Sequence, residues 1–240
     1  MGFTLVLLAA SNVPTWVGFA VVVVIVGGWL LIQSLLKRQR TTALISVAQQ
    51  IGFNFQGKEW NGPQSPQLQT ALFRQGRSKE FRNIMAGSAA GYRAFLFDYC
   101  YVVGSGRSRR NIVQTVAAYS KNGISLPEFA MQPKGVLQKI GQAFVNKDIN
   151  FDSHPDFSRR CQLRSPDGVR TRALFTPAVI SYLESLDPKK KWCFEGMNDT
   201  LLMFRRNKRV KPEDFPSYLE ESSAIATSVL GFSGAKGGVS

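Results

Sequence analysis

Polar positions are missing from one long stretch near the start of the chain. From Trp16 the sequence runs WVGFAVVVVIVGGWLLIQSLL, with no charged side chain and no polar face. About 20 such residues are what a helix needs to cross ~30 Å of hydrocarbon. Pro14 and Thr15 stand where a helix starts. Lys37, Arg38 and Arg40 end the run abruptly, and Trp16 and Trp29 have the character of interfacial residues. The pattern predicts a transmembrane helix over 16–36. A cleaved signal peptide would have a basic leader and a shorter apolar core, and a buried core helix would show a polar side. The run Phe3–Ala10 is too short to span. It reads as an interfacial or extracytoplasmic lead-in over residues 1–15.

Beyond the basic flank the periods change. Leu44, Val47, Ala48 and Ile51 repeat at helical spacing up to Gly52, which predicts a juxtamembrane amphipathic helix over 37–52, continuing the span. Residues 57–68 hold two prolines and two glycines and read as loop, with a short helix over 67–73. Segments 79–85, 92–103, 111–119 and 129–132 are rich in β-branched and aromatic residues and are separated by Gly, Ser and Pro, which marks strands. A short helix is expected over 134–144, then a loop rich in Asp and Pro. Thr176-Pro177 is a helix start with a hydroxyl cap and proline at the first position. Val179, Ile180, Leu183 and Leu186 form that helix's apolar face, and Asp187-Pro188 ends it. Strands at 192–195 and 201–205 flank a turn at 196–199. A helix over 212–230 closes the fold, with Phe215, Tyr218, Leu219, Ile225, Ala226 and Val229 on one side. Runs of strands with helices set apart predict an α+β domain on an antiparallel sheet over 53–231. The tail 232–240 is flexible by composition.

Charge adds direction. The 240 residues carry 30 Lys+Arg against 16 Asp+Glu, a net +14. None of these charges lies in residues 1–36, so the positive-inside rule orients residues 37–240 toward the cytoplasm, with the N-terminus outside. Setting aside the three flanking cations leaves 27 against 16 on residues 41–240. That field favours anionic lipid headgroups or an acidic protein partner. Three well-separated cysteines, Cys100, Cys161 and Cys193, form no CxxC pair and fit a reducing compartment. The single histidine, His154, excludes zinc sites built on several histidines of one chain.

Two basic clusters stand out. Arg107, Arg109 and Arg110 follow Gly104-Ser105-Gly106 at a hairpin tip. No helix start follows those glycines, so the turn reading outweighs a phosphate loop. Lys189, Lys190, Lys191, Arg205, Arg206, Lys208 and Arg209, with Lys211, bracket the later hairpin and would lie at the same end of it. With Lys37, Arg38 and Arg40 these are the candidate contacts to an anionic surface. Nucleic-acid binding through 189–211 is less favoured, because the aromatics there sit on strands rather than among the cations.

The strand YRAFLFDYCYVV is apolar on both faces, as a central strand would be. Asp98 within it needs a partner or a raised pKa. A membrane-bound enzyme would use Asp98 as its acid or base; a structural hydrogen bond is the plainer reading. Cys100 reads as a small buried hydrophobe. His154, in Asp152-Ser153-His154-Pro155-Asp156, reads as a turn residue rather than part of a Ser/His/Asp set. The residue pattern assigns no catalytic, cofactor or metal site.

Several short motifs carry a resemblance: Leu72-Phe73 with Gly76-Arg77-Ser78; Phe97-Asp98-Tyr99 with Tyr101 and Gly104-Ser105-Gly106; Thr115-Val116; and Asp148-Ile149 with Phe151, His154-Pro155, Phe157 and Ser158. Over residues 42–220 the chain resembles an uncharacterised family of bacterial single-span membrane proteins with a cytoplasmic α+β domain. The resemblance implies a bacterial source and the same anchor-plus-domain layout. It brings no activity and no catalytic residue with it.

Overall fold

The structure, a computed structural model, describes residues 15–57, 70–135 and 148–234. The first element is a single helix, α1 (Thr15–Gln50). Its stop is a paired hydrogen-bond motif. Gly52 takes the left-handed conformation at φ +71°, its N–H donates to Gln49 O (3.2 Å), and the Phe53 N–H donates to Ala48 O (2.7 Å). A residue with a Cβ would be strained at Gly52. The chain divides into two compact units, Met1–Ala43 and Leu44–Ser240, with the divide inside α1.

The second unit is built on strands β1 (Asn54–Gly57), β2 (Arg77–Ala89), β3 (Tyr92–Val103), β4 (Arg110–Ser120), β5 (Leu126–Pro133), β6 (Cys161–Arg164), β7 (Trp192–Asn198) and β8 (Thr200–Arg205). They form one eight-stranded sheet in the order β1-β2-β3-β4-β8-β7-β5-β6, and every pairing is antiparallel. Among the described residues five further α-helices accompany it: α2 (Ala71–Arg74), α3 (Pro155–Arg160), α4 (Gly168–Leu174), α5 (Pro177–Ser185) and α6 (Phe215–Gly234). The α+β class expected from the hydrophobic pattern is the class the chain has.

The strand β3 organises the two faces. Phe95, Phe97, Tyr99 and Tyr101 enter an aromatic core with Phe73, Val116 and Phe204. Ala94 and Leu96 point the other way, into a larger core shared with α1's last turns and with α4, α5 and α6. Alternation alone produces this division, because successive side chains leave opposite faces of a strand. Helix α6 is keyed to the sheet by hydroxyls: Tyr218 donates to Met203 O (3.3 Å) and Thr115 O (3.4 Å), and Tyr119 Oη and Ser222 Oγ lie 2.8 Å apart. Gly196 leaves room for the ring of its cross-strand partner Phe129; a Cβ there would stand 2.1 Å from that ring.

Four elements differ from expectation. β1, β6, α3 and α4 occupy stretches read as loop or left unassigned. Each is only four to seven residues long, too short to show a period. Helix α4 does have a readable cap, since Asp167 accepts from the Arg170 N–H at 3.0 Å. Residues 212–214 form a 3-10 turn ahead of α6, and α6 runs on to Gly234. Residues 1–14 of the expected lead-in over 1–15, 58–68 of the expected loop over 57–68, 136–144 of the expected helix over 134–144 and 235–240 of the expected tail over 232–240 lie outside the described residues.

Candidate functional site

The first candidate is α1 itself. It is the one described helix long and apolar enough to cross a membrane, and none of its most apolar window is buried against the rest of the chain. Val21 to Val26 and Leu30 to Ile32 are exposed aliphatics. In water such a surface is strongly unfavourable. At its end Lys37 and Arg38 are exposed and Arg40 is half-buried.

The hairpin tip between β3 and β4 is a capped turn. Ser105 and Ser108 bond reciprocally: the Ser105 N–H donates to Ser108 Oγ (3.3 Å) and the Ser108 N–H to Ser105 O (3.0 Å). Gly104 sits at φ +72°, where a Cβ would meet Ser108 O at 2.4 Å. The glycines thus serve the turn, and Arg107, Arg109 and Arg110 project from it, exposed.

The second cluster is brought together at the end of the β7–β8 hairpin, where Trp192 pairs with Arg205. It does not form a uniform patch. Glu221 of α6 accepts from Lys190 Nζ (2.6 Å) and Trp192 Nε1 (3.3 Å), and pairs with Arg205 (3.5 Å). The Arg205 guanidinium also lies over the rings of Trp192 (4.6 Å) and Tyr218 (5.3 Å). Arg206 leaves on the opposite face and donates to Gln75 Oε1 (3.1 Å). Lys190, Arg205 and Arg206 therefore hold the fold, while Lys189, Lys191, Lys208 and Arg209 are exposed. A groove of about 850 Å³ runs beside them, lined by Lys208, Arg209 and Lys211 and also by Asp214, Glu220 and Glu221.

Asp98 is sealed at 2% exposure. Thr115 Oγ1 donates to its Oδ1 (2.9 Å) and Asn83 Nδ2 to its Oδ2 (3.0 Å). Thr115 Oγ1 in turn accepts from the Val210 N–H (2.9 Å). The carboxylate thus ties β2, β3, β4 and the segment after β8 into one knot.

A different acid went unnoticed in the sequence. Glu195 of β7 is buried on the aromatic face and accepts from the Leu72 N–H at 2.7 Å. Burial pushes its carboxyl up to about 7, against the opposing pull of that N–H and of the Arg206 charge. Its neighbours Tyr99 and Tyr101 have buried hydroxyls with no hydrogen-bond partner among the described residues. Cys193 is buried and its thiol is pushed up to about 12 by desolvation. Burial also raises the thiols of Cys100 and Cys161, the reverse of what a nucleophile needs. His154 precedes α3, and its Nδ1 lies 3.2 Å from Glu184 Oε2. Among the described residues, no group of three or more His, Cys, Asp or Glu side chains converges on a metal position.

These features describe a β-sheet domain that follows an exposed apolar helix, which fits a membrane-associated protein. No protein-family model and no curated protein matches the chain. Its fold is similar to the crystal structure of the mycobacterial trehalose monomycolate transport factor A, TtfA. The TM-score is 0.51 at 8% identity, covering 80% of this chain and 97% of that one. At that identity the likeness is one of fold.

Proposed function

We propose that this chain is a single-pass, membrane-anchored binding domain without enzymatic activity, whose exposed cations meet an anionic membrane surface. In this reading α1 spans a bacterial inner membrane over 16–36, and Lys37, Arg38 and Arg40 hold residues 37–240 on the cytoplasmic side. The layout is the one implied by the resemblance to single-span bacterial proteins. The observation that carries the reading is the exposed, uniformly apolar surface of α1. The exposed cations Arg107, Arg109, Arg110, Lys189, Lys191, Lys208 and Arg209 supply the attraction to acidic headgroups, each worth about 1 kcal/mol near such a surface. The knot around Asp98 supports the non-enzymatic part, because both carboxylate oxygens are engaged in holding strands together. That TtfA is a transport factor is compatible with a role in binding.

The test is vesicle binding. The full chain, held in neutral-lipid nanodiscs, should bind phosphatidylglycerol vesicles and release them as salt rises, and should ignore phosphatidylcholine vesicles. Equal binding to both would remove the lipid-surface reading and favour an acidic protein partner.

A further inference from the structure

The two basic clusters, far apart in sequence, are carried by the sheet to one and the same end. Arg77 opens β2 across from Val102, next to the β3–β4 tip with Arg107, Arg109 and Arg110. β4 pairs antiparallel with β8, Val116 opposite Phe204, so β8 finishes where β4 begins. The chain after β8 stays against β4 there: the Thr115 N–H donates to Lys208 O (3.1 Å) and the Val113 N–H to Asn207 Oδ1 (3.4 Å). Trp192 of β7 pairs with Arg205, which sets Lys189 and Lys191 at that end too. The strands involved are neighbours, β2-β3-β4-β8-β7. At about 4.8 Å per strand their ends span ~19 Å. Arg77, Lys208, Arg209 and the cations of the tip and of the turn before β7 are exposed, apart from half-buried Lys190. Carboxylates there are engaged or outnumbered: Asp187 accepts from the Lys189 N–H (2.9 Å), Glu221 holds Lys190 and Arg205, and Asp214 and Glu220 share a groove with Lys208 and Arg209. The opposite end of the sheet differs. Its described turns, at 90–91, 121–125 and 199, hold one lysine and one aspartate.

We infer that this end of the sheet is one continuous interaction face, fitted to an acidic phospholipid surface. The assignment rests on the membrane-surface reading and merges its two clusters into a single contact. Cations spread over neighbouring strand ends match an anionic surface of similar breadth, whereas a lone oxyanion needs donors that converge on a point. Nucleic acid is disfavoured, since the turns at 104–109, 188–191 and 206–209 hold no aromatic side chain to stack on a base. A chain anchored by α1 meets headgroups at high effective concentration, so contacts that are weak singly add together.

Hydrogen exchange of the full chain tests it, in nanodiscs of phosphatidylcholine alone and with phosphatidylglycerol added. Amides of 104–110, 189–191 and 206–209 should all exchange severalfold more slowly in the acidic discs, and the difference should fade at high salt. Turns 90–91 and 121–125 should exchange alike in both. Arg107→Gln, Arg109→Gln and Arg110→Gln together should remove the slowing at 189–191 and 206–209 as well as at the tip, because three lost cations weaken contact with an acidic surface roughly hundredfold. Arg93→Gln with Lys121→Gln, at the opposite end, should leave it in place. All five of these side chains are exposed, so the fold tolerates the changes. Slowing confined to one cluster, slowing at the opposite end, or slowing that persists at 189–191 and 206–209 in the triple variant would overturn the single face and leave the membrane-surface reading standing. No slowing at any turn in the acidic discs would overturn both.

Discussion

Two stretches of the same helix treat their apolar side chains in opposite ways. Along the first part of α1, from Val21 to Leu36, the large aliphatics are exposed and no side has been set aside for a partner. Two turns later, Leu44, Val47 and Ala48 are buried in the core of the second unit, while Ile45 and Gln49 between them stay exposed. Both stretches are helical. They differ in period: one is apolar all round, the other at i, i+3 and i+4 only. A one-sided stripe marks a helix that packs on protein, whereas uniform apolarity with nothing packed against it marks one that needs lipid.

The largest expected effect breaks the first stretch. Val23→Arg with Ile25→Arg places two charges mid-span. Each costs about 2.5–3.5 kcal/mol in insertion, so membrane flotation should show the variant released, while its urea unfolding is unchanged. Leu44→Ala does the reverse. A fully buried leucine is truncated in a packed core, at a cost of about 2–5 kcal/mol in unfolding, and flotation should be unaffected.

A third prediction separates the stretches by pH. The Glu195 carboxyl, at about 7 in the fold against an ordinary 4.5, binds a proton that the unfolded chain has already released between those values. Its contribution is therefore fully present below about 4.5 and is lost as pH rises to about 7. The decline is up to about 3 kcal/mol in urea unfolding of the second unit. Glu195→Gln should flatten that slope, and membrane partition should not follow pH in either protein. The smallest effect is Asp98→Asn, which keeps the shape but weakens the two bonds from Thr115 and Asn83. A loss of about 1–3 kcal/mol in unfolding is expected. Full stability together with a lost cellular phenotype would instead favour a chemical role for Asp98.

Much of this comparison was legible in the sequence because it rests on long periods. The run after Trp16 and the twelve residues of β3 each carry enough repeats to state their surroundings. The Thr176-Pro177 start is local chemistry, and α5 begins there with Thr176 Oγ1 accepting from the Val179 N–H. The four-residue β1 and β6 hold no full pattern, and they exist because neighbouring strands offer edges to pair with. Glu195 was illegible for a different reason. A lone acid in WCFEGMN looks like the solvent side of a strand, and its partner, the Leu72 N–H, lies 123 residues earlier. The cation clusters were legible as charge but not as surface: Glu221 and Gln75, which draw Lys190, Arg205 and Arg206 into the fold, are remote in sequence.

The contrast within α1 is tested most directly by alkaline carbonate extraction of membranes from cells expressing the full chain. An integral span keeps the protein in the membrane pellet at high pH, where peripheral proteins held by charge are released. The chain is expected in the pellet. Recovery in the supernatant would mean that the exposed face of α1 is covered by protein instead, and that no lipid-embedded anchor exists.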